Sequence, residues 1–191
     1  MGRARAHGAP SPAAADSRGA RGVRTDERTL RTRDEAALVE TALAHYALRG
    51  SFRSFNATVR TPWKAEFTFS WFRDVTFRVV FDGTRRTLTF VNMLPGIPAR
   101  SEMDRHLRAF VRVYTSAAVP EHRRVDPRRL AVRVVNRGGA ESLVFTFRTK
   151  DIAYAVRKAV HLAYDILQDF LNDGRYVQYN VDHFNLNPEM A

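Results

Sequence analysis

Residues 151–173, DIAYAVRKAVHLAYDILQDFLND, decide how the rest of the chain is arranged. Ile152, Ala155, Val156, Ala159, Val160, Ala163, Ile166, Leu167, Phe170 and Leu171 recur with the i, i+3, i+4, i+7 spacing of one broad helical stripe. Thr149 or Asp151 can accept the free N–H groups at the start, and Gly174 stands where a left-handed residue closes a helix. The spacing predicts a helix of six turns over the whole stretch. Such a helix cannot stand alone in water, because each large apolar side chain gains roughly 1.5–3 kcal/mol on burial. It requires a flat apolar partner.

The segments upstream supply one. Phe67, Phe69 and Trp71 alternate with Glu66, Thr68 and Ser70, and Val75, Phe77, Val79 and Phe81 alternate with Thr76, Arg78 and Val80. Asp82-Gly83 signals a hairpin into Leu88 and Phe90. Further on, Leu130, Val132 and Val134 alternate, Asn136 to Gly139 turns the chain, and Leu143, Phe145 and Phe147 return. Strict alternation places the aromatic rings on one sheet face, as a core, in preference to an exposed platform for stacked bases. Around these strands, Thr32-Arg-Asp-Glu35 has capping-box spacing before Leu38, Val39, Leu43, Tyr46 and Ala47, and Gly50 closes that helix. Residues 52–59 read as a short strand or an extended connection ended by Pro62. Met93 to Pro98 breaks the ladder, and Ser101 opens a second helix carrying Met103, Leu107, Phe110, Val111 and Tyr114. The expected fold is α+β, an antiparallel sheet with helices in the order α-β-β-β-α-β-β-α.

Three parts follow from composition. Residues 1–31 hold almost no large apolar side chain and read as a disordered basic tail, residues 32–174 form one α+β domain, and residues 175–191 form a C-terminal arm. Up to position 33 the tail carries eight arginines against Asp16, Asp26 and Glu27. A solvated arm, a nucleic-acid arm and an organellar transit peptide all share that composition. The arm contains Tyr176, Val177, Tyr179, Val181 and Phe184, aromatic enough to pack on its own domain or on a second subunit.

The chain of 191 residues has no cysteine, which excludes disulfides, thiolate catalysis and cysteine-ligated metals. No apolar run reaches the length of about 18 residues that a membrane span needs, so a cytoplasmic protein is expected. The net charge is +11, with Lys64, Lys150 and Lys158 the only lysines. Excess positive charge favours acidic partners without specifying one. No phosphate-binding glycine loop, GxSxG elbow or HExxH helix is present. His161 and Asp165 stand one turn apart with Lys158 and Asp169 nearby, a set that reads as a solvated, ion-paired helix face rather than an acid–base pair. His183 beside Asp182 would need further ligands to hold a metal. No catalytic, cofactor or metal residues are therefore assigned, and an active site assembled from distant polar residues stays open as a third reading.

The order of elements, the strand exit Phe90-Val91-Asn92-Met93-Leu94-Pro95 and the amphipathic final helix together resemble the type III secretion chaperone-like fold. The similarity is greatest to the YbjN-type branch of bacterial regulators and spans roughly residues 34–173. It implies a non-enzymatic α+β domain, often dimeric, that binds or regulates other proteins and needs no cofactor, and a homodimer is expected. Its working surface would be the second helix, through Phe110 and Tyr114, and the outer sheet face, with Tyr176, Tyr179 and Phe184 of the arm as further interface residues. The alternative partner is nucleic acid, bound without sequence preference. Arg123, Arg124, Arg128, Arg129, Arg133 and Arg137 are offset only by Glu121 and Asp126. Arg129, Arg133 and Arg137 fall on one strand face, with Arg148 on the neighbouring strand, and arginine forks suit phosphate oxygens.

Overall fold

A computed structural model describes residues 35–61, 64–72 and 75–184, with the side chains of 59–61 outside that description. The basic tail 1–31, the capping residue Thr32 and residues 185–191 lie outside the described residues. The chain folds as α+β. A first helix, α1, covers residues 35–48. Four strands follow: β1 (Arg53–Thr61), β2 (Lys64–Trp71), β3 (Val75–Asp82) and β4 (Thr87–Leu94). Helix α2 (Glu102–Val113) leads to β5 (Leu130–Arg137) and β6 (Ala140–Phe147), then α3 (Ile152–Asp165) and α4 (Val177–Phe184). The six strands make one antiparallel sheet in the order β1-β2-β3-β4-β6-β5.

The aromatic face is the core, as alternation predicts. Phe67, Phe81 and Phe145 are fully buried, together with Leu88 and Leu130. Residues 52–59, readable from sequence as strand or connection, belong to the edge strand β1. Phe55 of this strand stacks on Phe67. The two hairpins are made differently. Gly138 and Gly139, at φ of 59° and 79°, form the two-residue turn between the paired Arg137 and Ala140. The β3–β4 connection is longer, and its left-handed residue is Arg86 at φ 52° instead of Gly83. The Arg86 guanidinium offsets that conformation by pairing with Glu35 at 2.8 Å and donating to the Thr149 carbonyl at 2.9 Å, which ties α1 to the end of β6.

Helix α3 begins at Asp151, whose carboxylate accepts from Tyr154 N–H at 2.9 Å. It departs from the expected six uniform turns. At Ile166–Phe170 the helix widens to a π-turn, which keeps Ile166, Leu167 and Phe170 all buried. The helix is also buried on three sides, leaving a narrow exposed seam of Ala153, Arg157, His161 and Tyr164. Lys158 and Asp165 are therefore interior, 6% and 8% exposed, and of the four residues expected on a solvated charged face only His161 and Asp169 are exposed. The region after Gly174 packs on its own domain: Phe184 is buried and stacks on Phe77 at 6.2 Å, and Tyr179 donates to the Pro95 carbonyl at 2.6 Å. The strand exit at Pro95 is thus the platform on which α4 rests. No described helix is long and apolar enough to cross a membrane.

Candidate functional site

Two basic surfaces stand on opposite sides of the sheet. The first is its outer face, which no described helix covers. Thr87, Thr89 and Val91 of β4, Ser142 and Val144 of β6 and Val135 of β5 floor a shallow groove of about 270 Å³. Arg85, Arg133 and Arg137 line it and no acidic residue does. These side chains follow from strand geometry, because period-two alternation turns every second residue away from the aromatic core. Arg133 and Arg137 are exposed and make no ion pair among the described residues.

The second surface lies between the 115–130 loop and the first turns of α3. Thr115, Glu121, Arg124, Asp126, Arg128, Arg129, Tyr154 and Lys158 line a cleft of about 480 Å³. Asp126 shapes its loop by accepting from Arg128 N–H at 2.9 Å, and its own N–H donates to the Tyr154 hydroxyl at 3.3 Å. Arg129 lies over the Tyr154 ring at 3.6 Å and pairs with Asp151 at 3.0 Å. Lys158 reaches the cleft from inside, donating to the His122 carbonyl at 2.6 Å and more weakly to that of Glu121 at 3.4 Å. Burial holds its ammonium below the usual lysine range, with Arg157 and Arg124 adding to the effect.

The arginines expected to form one patch are therefore divided. Arg133 and Arg137 do share the outer face. Arg129 precedes β5 and bends away to α3, because the Tyr154 ring and Asp151 offer it both stacking and charge. Arg148 donates to the Pro127 carbonyl at 3.1 Å, beside the loop and not beside Arg133. Arg123 is engaged by partners within the chain. It pairs with Asp165 at 3.0 Å and with Asp169, and donates to the Tyr114 hydroxyl at 2.9 Å. The two carboxylates hold its guanidinium above the ordinary arginine range. Burial, then Asp165, raise the Tyr114 phenol in turn. Only Arg124 and Arg128 of the loop keep guanidiniums without an ion pair among the described residues.

The aromatic residues expected at an interface serve the chain's own core. Tyr114, Tyr176 and Phe184 are buried. Phe110 is half-buried against Phe170 and Tyr114, and Tyr179 is half-buried against His183 and Phe184. Tyr114, Tyr176 and Phe184 therefore offer little surface to a partner, whereas Phe110 and Tyr179 keep part of theirs. Alternation and helical spacing cannot distinguish a ring that meets a neighbouring subunit from one that meets the next element of its own chain.

The described histidines form no constellation. His161 lies on the exposed seam of α3, in the groove facing His45 and Tyr46 of α1. His183 points its Nδ1 at the Tyr179 carbonyl, 3.0 Å away. No group of three metal-ligating side chains occurs among the described residues. Two carboxylates are deeply buried at the end of the second hairpin. Asp104 accepts from Arg100 N–H at 2.7 Å and from the Arg108 guanidinium, and Glu141 accepts from Asn136 Nδ2 at 2.7 Å. Both are enclosed by protein, and neither lines a described cleft. Lys158 is the site residue that sequence reading misplaced. The available signal was the width of the α3 stripe, which leaves too few outward positions for four charged residues.

No family model matches this chain, and no curated protein or solved structure matches it either.

Proposed function

We propose that the chain is a non-catalytic, chaperone-like binding module of the YbjN type, which takes an acidic, extended segment of a partner protein on the outer face of its sheet. The observation that carries this reading is the groove between β4, β6 and β5. It has a floor of hydroxyl and small aliphatic side chains, a rim of Arg85, Arg133 and Arg137, and no acidic lining. A bare antiparallel face of this composition suits an extended chain whose carboxylates meet the arginines, and fixed charge of one sign raises the rate of encounter. Homodimerisation belongs to the same proposal. The sheet ends at β1 with no further described strand beside it, whereas at the other edge Arg108 donates to the Val134 carbonyl at 2.7 Å. A sheet edge, here interrupted by irregularities between Arg53 and Asn56 and between Val59 and Thr61, presents backbone groups to which a second strand can pair.

The test is cross-linking of the chain to a protein co-purified from its native host, with the cross-links mapped. Links should fall on β4, β5 and β6, and the double substitution Arg133→Glu, Arg137→Glu should cut capture about tenfold or more while the thermal melt is unchanged. Capture that survives this charge reversal sinks the proposal. Light scattering on a sizing column decides the dimer: a species of two chains is expected, and a strict monomer removes that part alone. The same arginines favour a second reading, sequence-nonspecific nucleic-acid binding. It predicts affinity for any sequence falling steeply with salt, because each neutralised phosphate releases counterions.

A further inference from the structure

We infer that the cleft between the 115–130 loop and α3 is a binding site for a small phosphate-bearing molecule, held by Arg124, Arg128 and Lys158. This site is independent of the outer sheet face and on the other side of the molecule from it.

Three observations converge. The first is an imbalance of charge. Four cations line the cleft, Arg124, Arg128, Arg129 and Lys158, against Glu121 and Asp126. Arg129 is already paired with Asp151, and the Asp126 carboxylate is engaged by the Arg128 backbone N–H. Arg124, Arg128 and Lys158 thus converge with no ion pair among the described residues. Glu121 and Asp126 offset these charges only in part, and a bound anion offsets the remainder.

The second observation is Lys158 itself. A lysine 6% exposed has left water, and it has done so for two backbone carbonyls, which are poor compensation for a full charge. Those two bonds take two of its three N–H donors. The ammonium also lies 5.8 Å from the centre of the Tyr154 ring, and its depressed proton affinity recovers when an anion sits beside it.

The third observation is size and shape. A cleft of about 480 Å³ falls in the range that encloses a small molecule and is too small for a folded partner. With Arg129 paired to Asp151, Arg124, Arg128 and Lys158 outnumber Glu121 and Asp126 by one positive charge, the sign that a phosphate monoester of about −1.5 to −2 requires. Planar guanidiniums bind two phosphate oxygens at once, so two free arginine forks and one ammonium form a set better suited to phosphate than to a single carboxylate.

Isothermal titration of the full chain at low salt tests the site, with inorganic diphosphate and a nucleoside monophosphate as probes. Saturable binding of one equivalent is expected, weakened about tenfold or more by Lys158→Met and by Arg124→Gln, and left unchanged by Arg133→Glu on the opposite face. Circular dichroism checks that each variant is folded, and if Lys158→Met is not, Arg124→Gln decides alone. Absence of saturable binding, or equal binding by a folded variant and the parent, overturns the inference. Binding of an oligonucleotide but neither small probe also overturns it, and assigns the cleft to a polymer backbone.

Discussion

Glu141 is the residue at which burial and charge are least reconciled. Only 1% of it is exposed, and its Oε2 has no hydrogen-bond donor, the nearest guanidinium nitrogen of Arg108 standing 3.9 Å away. Burial pushes the carboxyl above the usual glutamate range, and the adjacent Asp104 carboxylate adds to this. At Asp104 burial acts in the same upward direction, but the Arg100 N–H and the Arg108 guanidinium outweigh it and hold that carboxyl low. A proton held on Glu141 would lie against the Asp104 carboxylate. A glutamate that keeps its proton in the folded state, while the unfolded chain loses it, costs stability as pH rises above the ordinary value of 4.5 and through the raised folded one. Glu141→Gln replaces that proton with a permanent N–H and keeps an oxygen for Asn136. The variant should therefore be more stable than the parent by about 1 kcal/mol near neutral pH. Urea unfolding across pH should show the gap narrowing as acid is added. A variant weaker at every pH would mean that Glu141 is ionised and bound to Arg108.

Among the elements, α3 is held by the closeness of its approach. Ala155, Ala159 and Ala163 are completely buried and lie at i, i+4 and i+8, a ridge of methyl groups that lets the helix backbone sit near the sheet. Its flanks are pinned by different bonds: Lys158 to the loop carbonyls on one side, and the Arg123 clasp of Asp165 and Asp169 further along. Larger side chains on the ridge have nowhere to go. Ala159→Leu should cost about 1–3 kcal/mol through overpacking, read as a lower urea midpoint with an unchanged slope. Ala153→Leu, on the exposed seam, should stay within about 0.5 kcal/mol of the parent. Equal effects at the two positions would show that the helix does not lie as described.

For the molecule as a whole, the arm completes the core of the domain. One apolar cluster runs from Ala36 in α1 to Phe184 in α4, and the loop at Pro95 and Gly96 receives the arm. Gly96 is left-handed at φ 72°, and a Cβ there would come within 3.1 Å of His183 Nε2, so a larger residue would strain the turn and push the imidazole aside. Phe184→Ala should destabilise the chain by about 3–5 kcal/mol, the usual range for a phenylalanine removed from a packed core. The loss should be the same at any protein concentration. A loss that shrinks as concentration rises would place the ring between subunits.

Sequence alone determined the layers of this protein. Period-two alternation of aromatic and polar residues and the broad stripe of 151–173 specify a one-faced sheet and the helix that covers it, because each pattern buries apolar area in only one geometry. Ser101 and Asp151 marked helix starts, and Gly138-Gly139 marked its turn, since these are local hydrogen bonds and backbone angles that neighbouring residues settle among themselves. Tertiary structure decided everything that depends on which element lies beside which. It placed β6 between β4 and β5, folded the arm onto Pro95, and drew Lys158 and Asp165 into the interior. It also parted Arg129 from Arg133, because the partner of Arg129 is a ring on a helix more than twenty residues further along. The two basic surfaces differ for that reason, and spacing along one strand carries no record of it.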